Sequence, residues 1–312
     1  MVKKVIVMSL IWISALMGSK TTDSIYWMGT ATSSGIGLAT TAKTNSQDSL
    51  YFNPAGLNTN KKSSFNASYT ALYKTSFSNI GYIASNDIIS FGIGMHISQS
   101  PNIEKTIFNE NKNEISIIGQ YQYTYSSLFL SSSIRIPYLS FGHIGKSIHF
   151  HRMSIDGEIL SGKSINLGII LTPISFLNIG YTHHNIIPLY LTWASKNNIN
   201  DTVNTTIHKV NTYGTIGIEL KPINSKNLKW SILTDVDLDT TKSTETNGYT
   251  PLKIGTEVTI HPITIKAGYN YRFMSFGVST KLNHLQLNYS FMLPKENEML
   301  DNRHAFGLNY FL

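Results

Sequence analysis

The chain has 312 residues, of which 14% are charged, and its formal net charge is +7. Ordinary soluble domains carry roughly 25% charged residues, so this composition disfavours a typical soluble enzyme. The Lys and Arg residues are scattered singly and form no basic stripe, which argues against a nucleic-acid partner. The absence of cysteine excludes disulfides and a lipid-anchored N-terminal cysteine.

Residues 1–19 have the pattern of a secretory signal peptide. Two lysines precede an apolar run from Val5 to Met17, and a Gly-Ser pair follows. The run is shorter than the about 20 apolar residues of a membrane helix. Cleavage after Ser19 would remove the two lysines and lower the net charge from +7 to +5.

Residues 20–62 differ in character from the rest of the chain. They are rich in Gly, Thr and Ser and show no sustained alternation, which predicts an irregular or short-helical segment. From Ser63 onward apolar and polar side chains alternate. This period of two is typical of strands with one face in lipid and the other in water, as in a transmembrane β-barrel.

The alternation predicts fifteen candidate strands. Single-chain bacterial barrels nearly always have an even number, so we predict fourteen, with the error before residue 160. The clearest strand covers the odd-numbered apolar positions from Leu285 to Leu293. The candidates are 63–73, 76–84, 87–98, 114–126, 127–136, 140–155, 163–172, 174–184, 210–220, 227–238, 250–260, 262–271, 273–281, 283–293 and 302–312.

Another regular strand runs from Glu114 to Ser126. Its apolar side is expected to face lipid, with three tyrosines in the interfacial aromatic girdle. The residues assigned to this lipid face are Ile115, Ile117, Tyr121, Tyr123 and Tyr125.

Turns and loops are predicted from proline and from polar stretches. Thr172-Pro173 and His261-Pro262 indicate tight turns, because proline cannot donate to a strand ladder. A two-residue turn at 261–262 would set Glu257 opposite Lys266 in the lumen. Longer loops, which barrels keep outside, are predicted at 99–113, 185–209, 239–249 and 294–301.

Polar residues of the predicted lumen are the candidate site residues. Asp235, Asp237 and Asp239 should point inward or towards the rim. Paired carboxylates can do acid–base work, but no nucleophile, base and orienting group occur together. We therefore expect no enzyme activity and interpret the carboxylates as part of a charge ladder with Glu257, Lys266 and Arg272.

Two histidines share one face of a predicted strand. His149 and His151 could ligate zinc, but no cysteine or nearby carboxylate completes a site of three or four ligands. We interpret both as polar lumen residues, and we expect no metal and no cofactor.

The most specific local sequence is Tyr51-Phe52-Asn53-Pro54-Ala55-Gly56-Leu57, with Gly35-Ile36-Gly37-Leu38-Ala39-Thr40 and Asp48 before it. It resembles the N-terminal region of the FadL/TodX outer-membrane transporter family, in which an (Y/F)NPAGL pattern belongs to a hatch that plugs the barrel. Gly37-Leu38-Ala39 departs from that family's double glycine. The resemblance implies a hatch at residues 20–62, with Asn53, Pro54, Ala55, Gly56 and Leu57 as its motif. We expect Gly56 to need a permissive φ.

The C-terminal third is similar to the shorter, PorV/PorQ-like branch of the family. The similarity rests on Asp235, Glu257, an Ala-Gly-Tyr sequence ending at Tyr269 and a final strand that begins with Arg303-His304. Lys266 stands where that strand series has arginine. The resemblance covers residues 29–57 and 227–312.

These observations predict an all-β protein, a transmembrane antiparallel barrel at residues 63–312 in the bacterial outer membrane. The resemblance implies passive transport of hydrophobic compounds such as long-chain fatty acids, which leave laterally through a gap beside a kinked wall strand. The alternative is a PorV-like scaffold of a type IX-like secretion system, with secreted cargo as partner. A nonspecific porin would need an open lumen. Outer-membrane lipids and a hydrophobic small molecule are the expected partners, and nucleic acid is not.

Overall fold

The computed structural model describes residues 29–312, except 61, 73–74, 110–113, 137–141, 156–157, 188, 194–206, 211, 240–251 and 295–301. The predicted signal peptide therefore lies outside the described residues. No helix in the described part of the chain is long and apolar enough to cross a membrane.

The described chain forms one antiparallel sheet that closes into a barrel. Each strand of the wall pairs with its sequence neighbours, except that β7 pairs with β10, and β1 pairs with β16 to complete the ring. The strands are β1 Ser64–Leu72, β2 Thr75–Ser85, β3 Ile89–Asn109, β4 Glu114–Arg135, β5 Gly142–Ile155, β6 Glu158–Ile174, β7 Leu177–His184, β8 Leu189–Trp193, β9 Ile207–Val210, β10 Tyr213–Asn224, β11 Leu228–Asp239, β12 Leu252–Ile260, β13 Ile263–Tyr269, β14 Phe273–Leu282, β15 Leu285–Pro294 and β16 Arg303–Phe311.

Fourteen of these strands form the wall, and β8 and β9 make a hairpin that pairs with the first residues of β6. The predicted number of wall strands is confirmed. The surplus candidate lay before residue 160, as expected, because 114–126 and 127–136 are one strand, β4.

The period-two pattern correctly separates the two faces over most of the wall. On β15 and β16, Ser290 is fully buried, whereas Phe306 on the outward face is 55% exposed. An apolar outside over a polar inside is the structure that a barrel needs to cross a bilayer.

The prediction that Tyr125 faces lipid is wrong. Ile118 is an extra residue in β4, because Gly119 pairs with Lys105 and Ile117 with Thr106. This bulge exchanges the two faces of the strand. Tyr125 is consequently fully buried in the lumen, on the same face as Tyr121 and Tyr123.

Two predicted loops and one predicted turn also differ from the structure. Most of 99–113 is strand, since β3 runs to Asn109, and 185–209 contains β8 and the start of β9. Pro262 lies in a turn as predicted, but Pro173 lies inside β6, beside a register shift between Leu171 and Ile174. Proline cannot donate to the ladder, so it is tolerated at such an irregularity.

The barrel has a short-turn end and a long-loop end. The described turns 175–176, 261–262 and 283–284 lie at the short-turn end, together with Ser64 and Phe311. Outer-membrane barrels have short periplasmic turns and longer outer loops, so the short-turn end corresponds to the periplasmic end of such barrels.

Residues 29–60 lie inside the barrel and are called the plug segment. It contains helix α1, Ala31–Ser34, and two 3-10 helices, Gln47–Leu50 and Pro54–Thr59. Thr30 caps α1, and Asn53 caps the second 3-10 helix with Pro54 in its first turn. Most of these side chains are buried against the inward face of the wall.

Candidate functional site

A belt of inward-facing glycines in the wall receives the plug segment. Four cross-strand glycine pairs contribute to it, and a β-carbon at most of its positions would collide with the plug. Because glycine has no side chain, the plug backbone can approach the wall backbone closely. The belt comprises Gly81, Gly92, Gly94, Gly145, Gly168, Gly180, Gly217, Gly255, Gly268, Gly277 and Gly307.

The predicted motif Asn53 to Leu57 forms the tightest part of this contact. The Asn53 side-chain amide donates to the carbonyl of Thr41 at 2.7 Å, and its oxygen accepts from the amide of Ala55 at 3.1 Å. The hydroxyl of Ser133 on β4 donates to the Ala55 carbonyl at 3.0 Å. The bonds of Asn53 join two turns of the plug segment to each other, and the bond from Ser133 attaches the segment to the wall.

Gly56 is required for a different reason from the predicted one. Its φ is not positive, since among the described glycines only Gly37 has a positive φ, of 64°. A β-carbon at Gly56 would collide with the side chain of Ser49. Close packing inside the plug, and not backbone freedom, therefore explains the glycine.

The Gly37-Leu38 sequence, which replaces the double glycine of the FadL/TodX pattern, has an unusual backbone conformation. Gly37 and Leu38 both adopt left-handed backbone conformations, with φ of 64° and 66°. Gly37 lies against the backbone of Tyr269 and Ile254, so only glycine fits there. Leu38 holds the conformation that a second glycine would adopt without strain.

Two buried carboxylates of the wall hold residues 40–44 of the plug. Asp235 on β11 accepts hydrogen bonds from the amides of Thr40 and Thr41 at 2.8 and 2.9 Å. Glu219 on β10 accepts from the amide and the hydroxyl of Thr44, both at 3.2 Å. Charge-assisted bonds of this kind are stronger than neutral ones.

Ion pairs complete this attachment. Lys43 in the plug contacts Glu257 on β12 at 2.6 Å. The register that sets Glu257 opposite Lys266 is confirmed, but the ammonium of Lys266 donates to Ser279 at 2.7 Å. Glu257 therefore forms its ion pair with Lys43 of the plug segment.

Another ion pair within the wall involves a predicted lumen residue. Lys253 contacts Asp237 at 2.8 Å, which is a rung of the predicted charge ladder. The side chain of Asp239 lies outside the described residues. Arg272 is in the turn between β13 and β14, where its Nε donates to the Tyr271 hydroxyl at 2.6 Å, and so lies at the long-loop rim.

Burial perturbs two ionisable groups of the plug. Burial raises the pKa of Asp48 above its ordinary value, although the Thr30 hydroxyl and nearby Lys43 and Lys266 oppose this. Burial alone would lower the pKa of Lys43, but the carboxylates of Glu257, Asp48 and Glu219 together outweigh it and the pKa is raised. Lys43 is accordingly held as a cation.

His149 and His151 lie in the lumen on the long-loop side of the plug. Nδ1 of His151 is 2.6 Å from the Tyr125 hydroxyl and its Nε2 is 2.8 Å from Ser164 Oγ. His149 packs edge-on against Phe129, with ring centroids 4.5 Å apart. Among the described residues no three His, Asp or Glu side chains form a metal-binding group.

Cavities lie on both sides of the plug. On the short-turn side, a cavity of about 350 Å³ is lined by polar residues that include Asn58, Asn178, Arg135 and Lys221. On the long-loop side, a cleft of about 20 Å³ is lined mainly by apolar side chains and by Arg303. Its apolar walls are Leu38, Phe77, Phe273 and Met292. The plug segment lies between the two.

The wall shows no gap between β2 and β3. Their ladder runs without a register shift from Ser76 opposite Gln99 to Ser85 opposite Ser90. The irregularities of β3 begin only after Ser100, beyond its pairing with β2. The lateral gap that the family resemblance implies, which was not assigned to particular strands, stays a prediction.

Sequence reasoning missed Lys43 and Glu219, which attach the plug, and Lys253, which pairs with Asp237 within the wall. Lys43, Glu219 and Lys253 are lone charges in polar stretches, and their partners are distant in sequence. The alternation of apolar and polar residues could have identified two of them, because Glu219 and Lys253 occupy inward positions of alternating strands. Nothing in the sequence around Lys43 indicates Glu257.

No protein-family model matches the chain, and neither does any curated protein. Solved structures do match. The toluene transporter TodX from Pseudomonas putida has a TM-score of 0.63 at 14% identity, covering 91% of this chain and 97% of that one. The toluene transporter TbuX from Ralstonia pickettii has a TM-score of 0.62 at 10% identity, covering 91% and 98%.

A FadL homologue from Pseudomonas aeruginosa is also similar, with a TM-score of 0.56 at 9% identity, covering 90% and 97% of the two chains. The chain is thus a plugged, outer-membrane-type β-barrel. More particularly, it has the fold of the FadL/TodX channels, and the resemblance found in the Asn53 motif is confirmed as a likeness of fold.

Proposed function

We propose that the protein is a passive outer-membrane channel for hydrophobic compounds, in which the plug segment acts as a hatch. The observation that carries this proposal is the position of residues 29–60 across the lumen, seated on the glycine belt and tied to Asp235, Glu219 and Glu257. A lumen filled in this way disfavours a nonspecific porin. The likeness to toluene and FadL-type channels favours transport over the scaffold alternative.

The apolar cleft supports a finer proposal about the solute. Four apolar side chains and the guanidinium of Arg303 surround the same narrow space. An apolar chain with an anionic head, such as a long-chain fatty acid, matches both kinds of lining, but it needs more room than the about 20 Å³ of this cleft, so it enters only when the plug segment moves. Toluene, which the similar transporters carry, has no group for the guanidinium. No ATP, metal, cofactor or covalent step is needed.

A reversible tether tests whether the plug must move. The chain has no cysteine, and the β-carbon of Ala31 would lie 3.0 Å from one added at Gly307 on β16. In Ala31→Cys with Gly307→Cys, oxidation should reduce labelled oleate uptake by liposomes severalfold, and a reductant should restore it. The matched control, Ile80→Cys with Met95→Cys, bridges two outward residues that pair across β2 and β3.

Transport at the wild-type rate through the oxidised plug tether would contradict the hatch. The solute is tested in the same liposomes with Arg303→Gln and Arg303→Lys. A guanidinium or ammonium that receives a carboxylate should matter for oleate and not for toluene. Equal losses for both solutes in Arg303→Gln would reject the fatty-acid proposal while leaving the hatch intact.

A further inference from the structure

The outward face of the wall is almost uncharged in the described part of the chain, except for a group of three cations on two neighbouring strands. Arg152, Lys163 and Lys146 are exposed on the outward faces of β5 and β6, where they alternate with buried lumenal residues. The other described charged side chains of the wall point inward, lie at a rim or turn, or belong to the long β3–β4 extension. No described carboxylate accompanies these three cations on that face.

Arg152 and Lys163 lie at the outer boundary of the lipid-facing band. Arg152 is ten residues beyond Gly142, and Lys163 is eleven residues before Ile174, both counted from the short-turn end. Ten strand residues span about 33 Å, or about 25 Å in height at a tilt of about 40°. That is the height of the apolar band of such barrels, roughly 25 Å.

The neighbouring strands place the boundary at the same level. Arg152 pairs with Ser126, which pairs with Ile97 on β3. Ile97 is the last apolar outward residue of β3 before Gln99, so the apolar surface of β3 ends at this level, whereas on β6 the outward-facing Ile159, 46% exposed, lies two residues beyond Ser161. The two cations therefore lie where the head groups of the outer leaflet begin.

The two cations are neighbours on this surface. Arg152 pairs with Ser161 and Phe150 with Lys163, so Arg152 and Lys163 are diagonal neighbours, about 7–8 Å apart. The ammonium of Lys163 lies 5.5 Å from the ring centroid of Phe150. Like charges at this spacing repel each other, and an anion between them removes the repulsion.

We propose that Arg152 and Lys163 bind the phosphate of a lipid of the outer leaflet. A guanidinium contacts two phosphate oxygens at once, and an ammonium adds a point charge beside it. Below the pair, Phe150, Ile148 and Ile165 form an apolar column against which the acyl chains lie. This site is on the outside of the wall and does not depend on the proposed transport function.

Lys146 provides the matched control. It lies on the same face of the same strand, six residues nearer the short-turn end than Arg152. At about 20 Å along the strand, it cannot share a phosphate with Arg152. A general attraction between cations and anionic lipid would involve all three residues, whereas the proposed site involves only two.

Native mass spectrometry of the purified barrel with added bisphosphorylated lipid A tests the site. Heat-modifiable gel mobility first establishes that each variant is folded. Each cation near an anionic lipid surface contributes about a fivefold gain in affinity, so Arg152→Ser with Lys163→Ser should bind about 30-fold more weakly. Lys146→Ser should bind as the wild type does. Dephosphorylated lipid A should not distinguish the wild type from the double variant.

Three results would overturn the phosphate site itself, and a fourth would overturn its assignment to the outer leaflet. The first three are unchanged lipid A affinity in the double variant, an equal loss in Lys146→Ser, and a dimer signal that disappears with the two cations while lipid binding persists. Phosphatidylglycerol offers the same phosphate chemistry in a phospholipid. If it binds the pair as tightly as lipid A, the assignment to the outer leaflet is wrong.

Discussion

At the residue scale, Leu38 shows where this chain departs from an unstrained turn. A left-handed backbone at a residue with a β-carbon costs about 1–2 kcal/mol, and Leu38 has a φ of 66°. Its side chain packs beside the buried cluster of Ala31, Phe273, Met292 and Ala305. Packing against the wall thus offsets the strain in the backbone.

Leu38→Gly and Leu38→Ala separate these two contributions. Both lose the packing, but only glycine relieves the strain, so we expect the glycine variant to hold the plug about 1 kcal/mol more stably than the alanine variant. Hydrogen–deuterium exchange of plug peptides measures the difference. Equal protection in the two variants would show that the left-handed turn is not strained.

Asp48 makes the plug sensitive to pH. Its pKa in the folded protein is raised by burial above the ordinary value of 3.8. The folded state therefore binds the proton more tightly, so this group's stabilisation is fully present below pH 3.8 and is lost as the pH rises through the folded pKa. We expect greater protection of plug amides at about pH 4 than at about pH 7.

Asp48→Asn identifies the contribution of this carboxyl, because other buried groups titrate in the same range. Asparagine stays neutral, so the variant should lose part of the pH dependence and match the wild type most closely at the acid end. Identical pH profiles for the variant and the wild type would assign the effect to another group.

At the element scale, the contact between plug and wall depends on the absence of side chains. A β-carbon at Gly145 or Gly180 would collide with the plug backbone at Pro54 or Thr41, whereas one at Gly119 would meet nothing within 4 Å. Overpacking of this kind costs typically 1–3 kcal/mol. We expect Gly145→Ala and Gly180→Ala to leave the barrel folded but to let small hydrophilic solutes leak.

Liposome permeability and heat-modifiable mobility, measured on one preparation, check this expectation. Gly119→Ala is the control and should behave as the wild type. A tight, folded Gly145→Ala barrel would mean that the plug adjusts without losing its seal.

The ion pair between Lys43 and Glu257 joins two elements that are far apart in sequence. Its side chains are 7% and 18% exposed, so removing one partner leaves a largely buried charge. We expect a coupling of about 0.5–3 kcal/mol in the cycle of Lys43→Met, Glu257→Gln and the double variant, because neighbouring charges are not additive. Plug protection by hydrogen exchange provides the readout.

The same measurement tests the partner that the sequence had indicated. Lys266→Met with Glu257→Gln forms the comparison cycle, and its coupling should be smaller, since Lys266 donates to Ser279. A larger coupling to Lys266 than to Lys43 would contradict the observed pairing.

At the scale of the whole molecule, the two ends of the barrel define an orientation. Ser225 and Asn283 lie in turns at the short-turn end, and β8 and β9 lie at the other. Single cysteines within 185–209 should be labelled from outside intact cells, and Ser225→Cys and Asn283→Cys should not. Equal labelling of both sets would contradict the assigned orientation.

The barrel itself was predictable because its information is local. Alternation depends on which side of each strand meets lipid, and a two-residue turn determines the register of the hairpin around Pro262. The strand count, the lumenal face of Asp235 and the pairing of Glu257 with Lys266 all follow from such short-range rules. The motif around Asn53 similarly indicated the fold through residues close in sequence.

Only the tertiary structure determines the long-range contacts and the register shifts of the strands, because short-range sequence patterns do not encode them. A single extra residue at Ile118 reverses the faces of β4 and carries Tyr125 into the lumen, and alternation gives no warning of it. Lys43 meets Glu257 across 214 positions of sequence, because closing the ring brings β12 against the plug. The sequence by itself determined a barrel with a distinctive N-terminal segment, and the closed wall decided which side chains hold that segment, since burial in a shared lumen makes those contacts favourable.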